Sequence, residues 1–167
     1  MSRKQLEALE PFIGEWRMEA TFPQAAPASI AGRALIGRAV FDWVLDGQFV
    51  ALHEEFPHPD IPTSLAIIGV DPQGRRYTQH YFDSRGVTRV YAMTLRDGVW
   101  TLLRETSDFT PLDFAQRFTG TFSDDGTTIT GRWESRSAGS TSWEHDFELT
   151  YTATSSDASK SGRLAGG

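Results

Sequence analysis

The sequence predicts an all-β protein, an antiparallel up-and-down β-barrel of about ten strands with a short N-terminal helix. The 167 residues include 15 Gly, 11 Phe, 5 Trp and 4 Tyr, which is typical of aromatic strands joined by tight turns. Runs rich in β-forming residues are separated by turn signals, and apolar and polar residues alternate within them. Closure of the sheet into a barrel is predicted because it removes the two edges of such a meander.

The first residues predict a short helix. Ser2 is a suitable N-cap, Leu6 and Leu9 have helical spacing, and Pro11 ends the pattern. Strands are then predicted at 13–22, 33–44, 48–56, 63–70, 76–83, 87–96, 99–105, 114–122, 127–135 and 141–153.

The segments between the predicted strands are of two kinds. Short ones such as Asp46-Gly47 and Asp97-Gly98 have the composition of hairpin turns. Two longer ones, at 57–62 and 107–113, contain proline and are predicted to form a lid or rim at the end of the barrel.

Length, charge and composition limit the function. About 100–200 residues make one domain, so we expect a single barrel at 1–153 and a disordered polar tail at 154–167. A net charge of −6 argues against a nucleic-acid partner, and the absence of cysteine excludes thiol chemistry and disulfides. The four histidines lack metal-binding spacing. With no apolar span and no signal peptide, a cytoplasmic protein without a membrane partner is predicted, while the oligomeric state stays open.

Strand alternation predicts which side chains enter the barrel, because successive residues face opposite sides of a sheet. The last strand is predicted to turn Trp143, His145, Phe147, Leu149 and Tyr151 inward. Three preceding strands are predicted to contribute Trp100, Leu102 and Arg104, then Phe114, Gln116, Phe118, Gly120 and Phe122, then Ile129, Gly131 and Trp133. The strand at 87–96 is predicted to contribute Val87, Arg89, Tyr91, Met93 and Leu95.

The predicted interior mixes charged and aromatic side chains, which favours a binding pocket over a purely structural core. Because burying an unpaired charge is costly, Arg89 and Arg104 are predicted to clamp an anionic or amphipathic small molecule that Tyr91 and Gln116 orient. The remaining candidate ligand-binding residues are Phe118, Trp133, Trp143, Phe147, His53 and His145. The alternative is that the arginines pair with inward acids such as Glu55 or Asp83 and serve the fold alone.

Two groups of residues carry a resemblance to known families. Gly14-Glu15-Trp16 at the start of the first strand resembles the G-x-W signature of the calycins, the lipocalin and fatty-acid-binding barrels. The segments 79–91, 116–118, 131–134 and 143–147 resemble a bacterial domain-of-unknown-function family related to nitrobindin. The resemblance covers about residues 8–152 and implies a ten-stranded barrel with an internal ligand cavity, but no assigned activity.

Two alternative functions stand beside ligand binding. The resemblance to nitrobindin implies haem binding with gas or peroxynitrite chemistry and makes His145 the axial ligand, although Met18 and Ala20 replace glycines of the nitrobindin signature. The other alternative is an isomerase or cyclase whose cavity holds a reactive conformer of its substrate. An acid–base pair for it is available in His53 with Glu55 or Asp83, and catalytic residues stay unassigned.

Overall fold

The computed structural model describes residues 3–73 and 76–154, so the predicted tail lies outside the described residues beyond Thr154. Helix α1 spans Arg3–Glu7 and a 3₁₀ turn follows at Glu10–Phe12. No helix in these residues is long and apolar enough to cross a membrane. The strands are β1 (Gly14–Thr21), β2 (Ala34–Val44), β3 (Phe49–Glu55), β4 (Ser64–Val70), β5 (Tyr77–Asp83), β6 (Thr88–Arg96), β7 (Val99–Arg104), β8 (Phe114–Phe122), β9 (Thr128–Ser137) and β10 (Glu144–Ala153).

The ten strands form one closed antiparallel barrel, which confirms the predicted fold class. Each strand pairs with the next one in sequence, and β10 pairs with β1 to close the ring. The closing seam runs from Trp16 opposite Ala153 to Thr21 opposite Glu148. Closure leaves none of the ten strands with an unpaired edge.

The hairpin turns follow the predicted signals. Between β6 and β7, Asp97 has a φ of 52° and Gly98 a φ of 74°, the left-handed conformation that a two-residue hairpin turn requires at both positions. Glycine adopts this conformation without a Cβ clash, and aspartate tolerates it better than most residues.

One end of the barrel, here called the closed end, is plugged by the N-terminal segment. The ring of Phe12 from the 3₁₀ turn packs 5.3 Å from Phe41 and 5.0 Å from Trp100, centroid to centroid. Trp16 is buried beside it, and its indole Nε1 donates a 2.7 Å hydrogen bond to the carbonyl of Phe12. The hydroxyl of Tyr77 donates to the carbonyl of Gln5 at 2.9 Å. The opposite end, called the mouth, has no such plug within the described residues and contains a cavity.

The predicted inward direction of Trp143 and His145 is wrong, because β10 contains a bulge. The pairing of β10 with β9 shifts between His145 and Phe147, which makes Asp146 an extra residue and reverses the alternation before it. His145 is therefore exposed. Trp143 lies on the outer face, where Arg117 and Arg136 stack 4.3 and 4.7 Å from its ring.

The predicted inward direction of His53 and Glu55 is also wrong. Val50 and Leu52 are fully buried in the barrel, so the alternation of β3 turns Glu54 inward and places His53 and Glu55 on the exposed outer side. The orientation of β5, which the sequence leaves open, is likewise resolved: Gln79 and Tyr81 face inward and His80 is exposed.

Gly131 on β9 is required by the ring of Phe118. A Cβ at Gly131 would lie 2.5 Å from Cζ of Phe118 and 3.0 Å from the carbonyl oxygen of Leu149. We expect Gly131→Ala to lower the free energy of unfolding by about 1–3 kcal/mol, the usual cost of overpacking a core. Urea unfolding followed by tryptophan fluorescence measures it.

The control is the double variant with Phe118→Leu, which removes the clashing ring edge. The loss caused by Gly131→Ala should be smaller in the Phe118→Leu background than in the native one. An equal loss in both backgrounds would contradict this packing.

Candidate functional site

A cavity of about 330 Å³ opens at the mouth of the barrel, at the lower end of the size range of small-molecule sites. It lies where the barrel core ends and the long segments between strands begin. Its wall consists of Ala20, Phe22, Ile30, Glu54, Phe56, Asp60, Ile61, Pro62, Ser64, Tyr81, Arg85, Arg89, Tyr91, Phe114, Gln116, Trp133, Asp146, Phe147 and Leu149. The wall thus combines aromatic and aliphatic groups with charged and amide groups.

Tyr91 and Gln116 form the polar part of the wall on β6 and β8. The hydroxyl of Tyr91 donates a 2.9 Å hydrogen bond to Oε1 of Gln116, and the ring packs edge-on against Trp133 at 5.6 Å. Burial raises the pKa of Tyr91, and the neighbouring Arg89 guanidinium only partly opposes this shift. The phenol therefore stays protonated at neutral pH and fixes the orientation of the Gln116 amide.

Arg89 is a cation of the wall without a carboxylate partner. Its guanidinium carbon lies 5.7 Å from the ring centroid of Phe114. Its Nε is buried and has no hydrogen-bond partner among the residues that the structure describes. None of the ion pairs formed within residues 3–73 and 76–154 includes it. A buried donor of a charged group is costly to leave unsatisfied, so this position favours an anion from outside the chain.

Arg85, the other arginine of the wall, forms an ion pair with a carboxylate of the protein. Its NH2 and Nε lie 2.6 and 3.2 Å from Oδ2 of Asp83, and the Tyr81 hydroxyl donates to the same oxygen at 2.8 Å. Burial raises the pKa of Asp83, but the hydrogen bonds from Arg85 and Tyr81 outweigh it, and the net pKa is lowered. Asp83 therefore remains ionised and holds Arg85 at the rim.

Three carboxyl groups that strand alternation did not predict, those of Glu54, Asp60 and Asp146, also line the cavity. Glu54 Oε1 accepts a 2.5 Å hydrogen bond from the Tyr151 hydroxyl, and Oε2 lies 3.4 Å from Oγ of Ser64. Burial raises the pKa of Glu54 and the Tyr151 hydrogen bond lowers it by less. Burial likewise raises the pKa of Asp146, the bulged residue of β10. The signal for Glu54 was present in the spacing of Val50 and Leu52, whereas the bulge at Asp146 has no sequence marker.

Arg104 is buried, as predicted, but the structure does not bring it to the cavity. Its Nε and NH2 each donate a 2.8 Å hydrogen bond to the carboxylate of Asp108, and NH2 also reaches the carbonyl of Thr110 at 2.8 Å. Asp108 in turn accepts hydrogen bonds from the backbone amides of Val90 and Thr110. The segment at 107–113, predicted as a lid or rim, is therefore held by hydrogen bonds to β6 and β7 and forms part of the rim.

The predicted binding residues fall into three groups. Those that the structure brings together at the cavity are Arg89, Tyr91, Gln116, Trp133 and Phe147. Arg104 and Phe118 are fully buried elsewhere in the barrel. His53, Trp143 and His145 lie on the outer side.

The wall does not fit a haem held by histidine. His145, the predicted axial ligand, is exposed on the outer surface, and no imidazole is among the residues that line the cavity. The described residues also contain no group of three His, Asp or Glu side chains that could hold a metal ion. No haem chemistry is therefore assigned to this cavity.

A second, larger depression of about 730 Å³ lies outside the closed end, between α1 and the turn at 45–48. The indole Nε1 of Trp43 donates to Oε1 of Glu10 at 2.9 Å, so these polar groups satisfy each other. The mouth cavity is the better candidate site because it contains a buried donor without a partner.

Comparisons with known proteins support the fold alone. No family model and no curated protein matches the chain. The crystal structure of Rv2717c from M. tuberculosis superposes with a TM-score of 0.64 at 13% sequence identity, and the match covers 90% of this chain and 98% of that one. The two proteins share a barrel architecture, while the resemblance to calycins and nitrobindin stays a prediction.

The buried pair of Arg104 and Asp108 gives a prediction for the stability of the mouth. We expect Asp108→Asn to lower the free energy of unfolding at pH 7 by about 3–5 kcal/mol, because it leaves a buried guanidinium without its counter-charge. Hydrogen bonds from Arg104 outweigh burial and hold the pKa of Asp108 below its ordinary value of 3.8.

A group with a lowered folded-state pKa stabilises the fold above its unfolded pKa and loses this effect as the pH falls. The difference between wild type and Asp108→Asn should therefore shrink below about pH 4. Urea unfolding from pH 7 to pH 3 measures it, with Asp124→Asn in an exposed turn as the control. A difference that stays constant over this range would contradict the assigned role of the pair.

Proposed function

We propose that the protein binds a small amphipathic molecule with one anionic group in the mouth cavity, with Arg89 as the residue that pairs with the anion. The observation that carries the proposal is the buried Nε of Arg89, which has no partner in the described chain. A carboxylate or a similar planar anion would satisfy this donor by a charge-assisted hydrogen bond.

A comparison of Arg89 with Arg85 and Arg104 supports this choice. Arg85 and Arg104 each have an aspartate within 2.8 Å, whereas Arg89 is in no ion pair within the described residues. Two of these three guanidiniums therefore have a carboxylate of the protein beside them, and Arg89 is the arginine of the cavity wall that lacks one among the described residues. Tyr91 and Gln116 lie in the same wall and offer further polar contacts to the bound group.

The rest of the wall favours an apolar or aromatic body for the ligand. Phe22, Phe56, Trp133, Phe147 and Leu149 line the cavity together with Ala20 and Ile30. Burial of such surface against a ligand contributes roughly 25 cal/mol per Å² before the costs of association. A pocket that is mostly apolar, with a few convergent polar groups, is the usual form of a small-molecule site.

The acids of the wall limit the ligand to a single negative charge. Glu54, Asp60 and Asp146 line the same cavity, so a second anionic group on the ligand would meet repulsion. The haem alternative has no support here because no imidazole faces the cavity. The isomerase alternative requires an acid–base group in the wall, and Glu54 is available for that role.

A matched pair of ligands tests the proposal. Octanoate and 1-octanol have the same chain and differ in charge, and isothermal titration calorimetry at pH 7 measures both. We expect octanoate to bind more tightly, and Arg89→Gln to weaken octanoate by about 10–100-fold, because a hydrogen bond to a charged group contributes about 1.5–3 kcal/mol. The affinity for 1-octanol should change little in the variant.

Arg38→Gln is the control, because Arg38 is an exposed arginine that pairs with Glu15 on the outside of the barrel. It should leave both affinities unchanged. Equal affinity of the wild type for octanoate and 1-octanol, or an unchanged preference in Arg89→Gln, would refute the proposal.

A further inference from the structure

We propose that Glu54 is a catalytic general base and acid that moves a proton between two carbon atoms of a carbonyl compound bound in the mouth cavity. The inference goes beyond binding and rests on the proposed function only in that the cavity must admit an organic molecule. The reaction class is isomerisation through an enol or enolate, and the substrate class is a small carbonyl compound with an acidic C–H bond.

The position of Glu54 suits such a role. Its carboxyl lines the cavity, and its two oxygens are held by hydroxyl groups of other strands, Tyr151 on β10 at 2.5 Å and Ser64 on β4 at 3.4 Å. These contacts fix the direction of the carboxyl, as a base must be fixed to meet a particular C–H bond. The ring of Tyr151 is itself buried against Phe41 and Trp100 of the core, which makes the support rigid.

The carboxyl of Glu54 lacks the cation that usually accompanies a buried carboxylate with a purely structural role. Buried carboxylates that serve the fold are paired with a cation, as Asp108 is with Arg104. No ion pair within residues 3–73 and 76–154 includes Glu54. The chain therefore places an ionisable group, held by neutral hydroxyls alone, on the wall of its own cavity.

The buried surroundings of Glu54 also suit a group that accepts and returns a proton. A carboxylate that is removed from water is a stronger base than one on the surface, and burial raises the pKa of Glu54 above that of an ordinary glutamate. The deprotonated carboxylate accepts a proton from the substrate, and the carboxylic acid that results returns it. The hydrogen bonds from Tyr151 and Ser64 limit this rise in the pKa of Glu54 without supplying a positive charge.

Arg89 supplies the second component of the same cavity. In the first step the C–H bond breaks, its proton passes to a Glu54 oxygen, its electron pair forms the C=C bond, and the carbonyl π pair moves to oxygen. The buried Nε of Arg89 is available to stabilise that oxygen or a carboxylate beside it. In the second step Glu54 returns the proton to a different carbon, so the product is an isomer and no oxidant or reductant is consumed.

The probe for this inference is 5-nitrobenzisoxazole. A base removes its C3 proton, the C–H electron pair completes the nitrile, and the N–O bond breaks to release a coloured cyanophenolate. We expect the wild type to accelerate this elimination with saturation, and Glu54→Gln to reduce kcat/KM at least about 100-fold, the usual contribution of general base catalysis. The rate should rise with pH to a plateau, because only the carboxylate is active, with a midpoint above the 4.5 of an ordinary glutamate.

Two variants separate catalysis from structure. Glu148→Gln changes an exposed glutamate on the outer side of β10 and should leave the elimination unchanged. Tyr151→Phe removes the hydrogen bond that lowers the pKa of Glu54, so Tyr151 is tested as a positioning residue whose loss moves the midpoint of the pH profile upward. A merely structural Tyr151 would change the rate without moving the midpoint.

Octanoate separates this inference from the proposed function. It should inhibit the elimination with an inhibition constant equal to its calorimetric Kd, and Glu54→Gln should still bind it. Should Glu54→Gln fail to fold, Glu54→Asp serves instead, with a lower rate and a profile of the same form. Undiminished elimination in Glu54→Gln, or a wild-type rate no higher than that of acetate at equal concentration, overturns the inference even when octanoate binding is intact.

Discussion

The pairing of β10 with β1 is the interaction on which the rest of the structure depends. It closes ten consecutive hairpin strands into a barrel, so that every strand has an inner and an outer side. Phe12 and Trp16 then fill the closed end, with the Trp16 indole bonded to the carbonyl of Phe12. Because this plug enters from one end only, the interior at the mouth retains a cavity whose wall contains both charged and aromatic groups.

Alternation predicted the barrel and most of its interior. On β6, β7 and β8 the predicted inner residues Tyr91, Trp100 and Phe118 are fully buried. The prediction for β10 failed because strand pairing rather than composition decides the direction there. The bulge at Asp146 depends on the register between β9 and β10, which the residues of β10 alone do not encode. On β3, by contrast, the spacing of the buried Val50 and Leu52 identifies the inner side, and the prediction for His53 did not follow it.

The ion-pair partner of a buried arginine was harder to predict from the sequence than the side of the sheet that the arginine faces. Arg104 and Asp108 are four residues apart, yet they meet only because the chain after β7 folds back over β6, where Asp108 also accepts the amide of Val90. A sequence shows which side a guanidinium faces but not which carboxylate reaches it through an irregular segment. Of the two arginines predicted to bind an anion, Arg104 is paired with Asp108, so the proposed anion site contains only Arg89.

Arg89 and Glu54 are groups of opposite charge type in the wall of one cavity, and one ligand could contact both. The guanidinium has a buried donor without an acceptor, while the carboxyl is desolvated and bound only to neutral hydroxyls. Neither forms an ion pair with the other in the described chain. A molecule with an anionic end and a polarised C–H bond would satisfy the first group and engage the second. The proposed ligand thus follows from the difference between Arg89, which is in no ion pair among the described residues, and Arg85 and Arg104, which each pair with an aspartate.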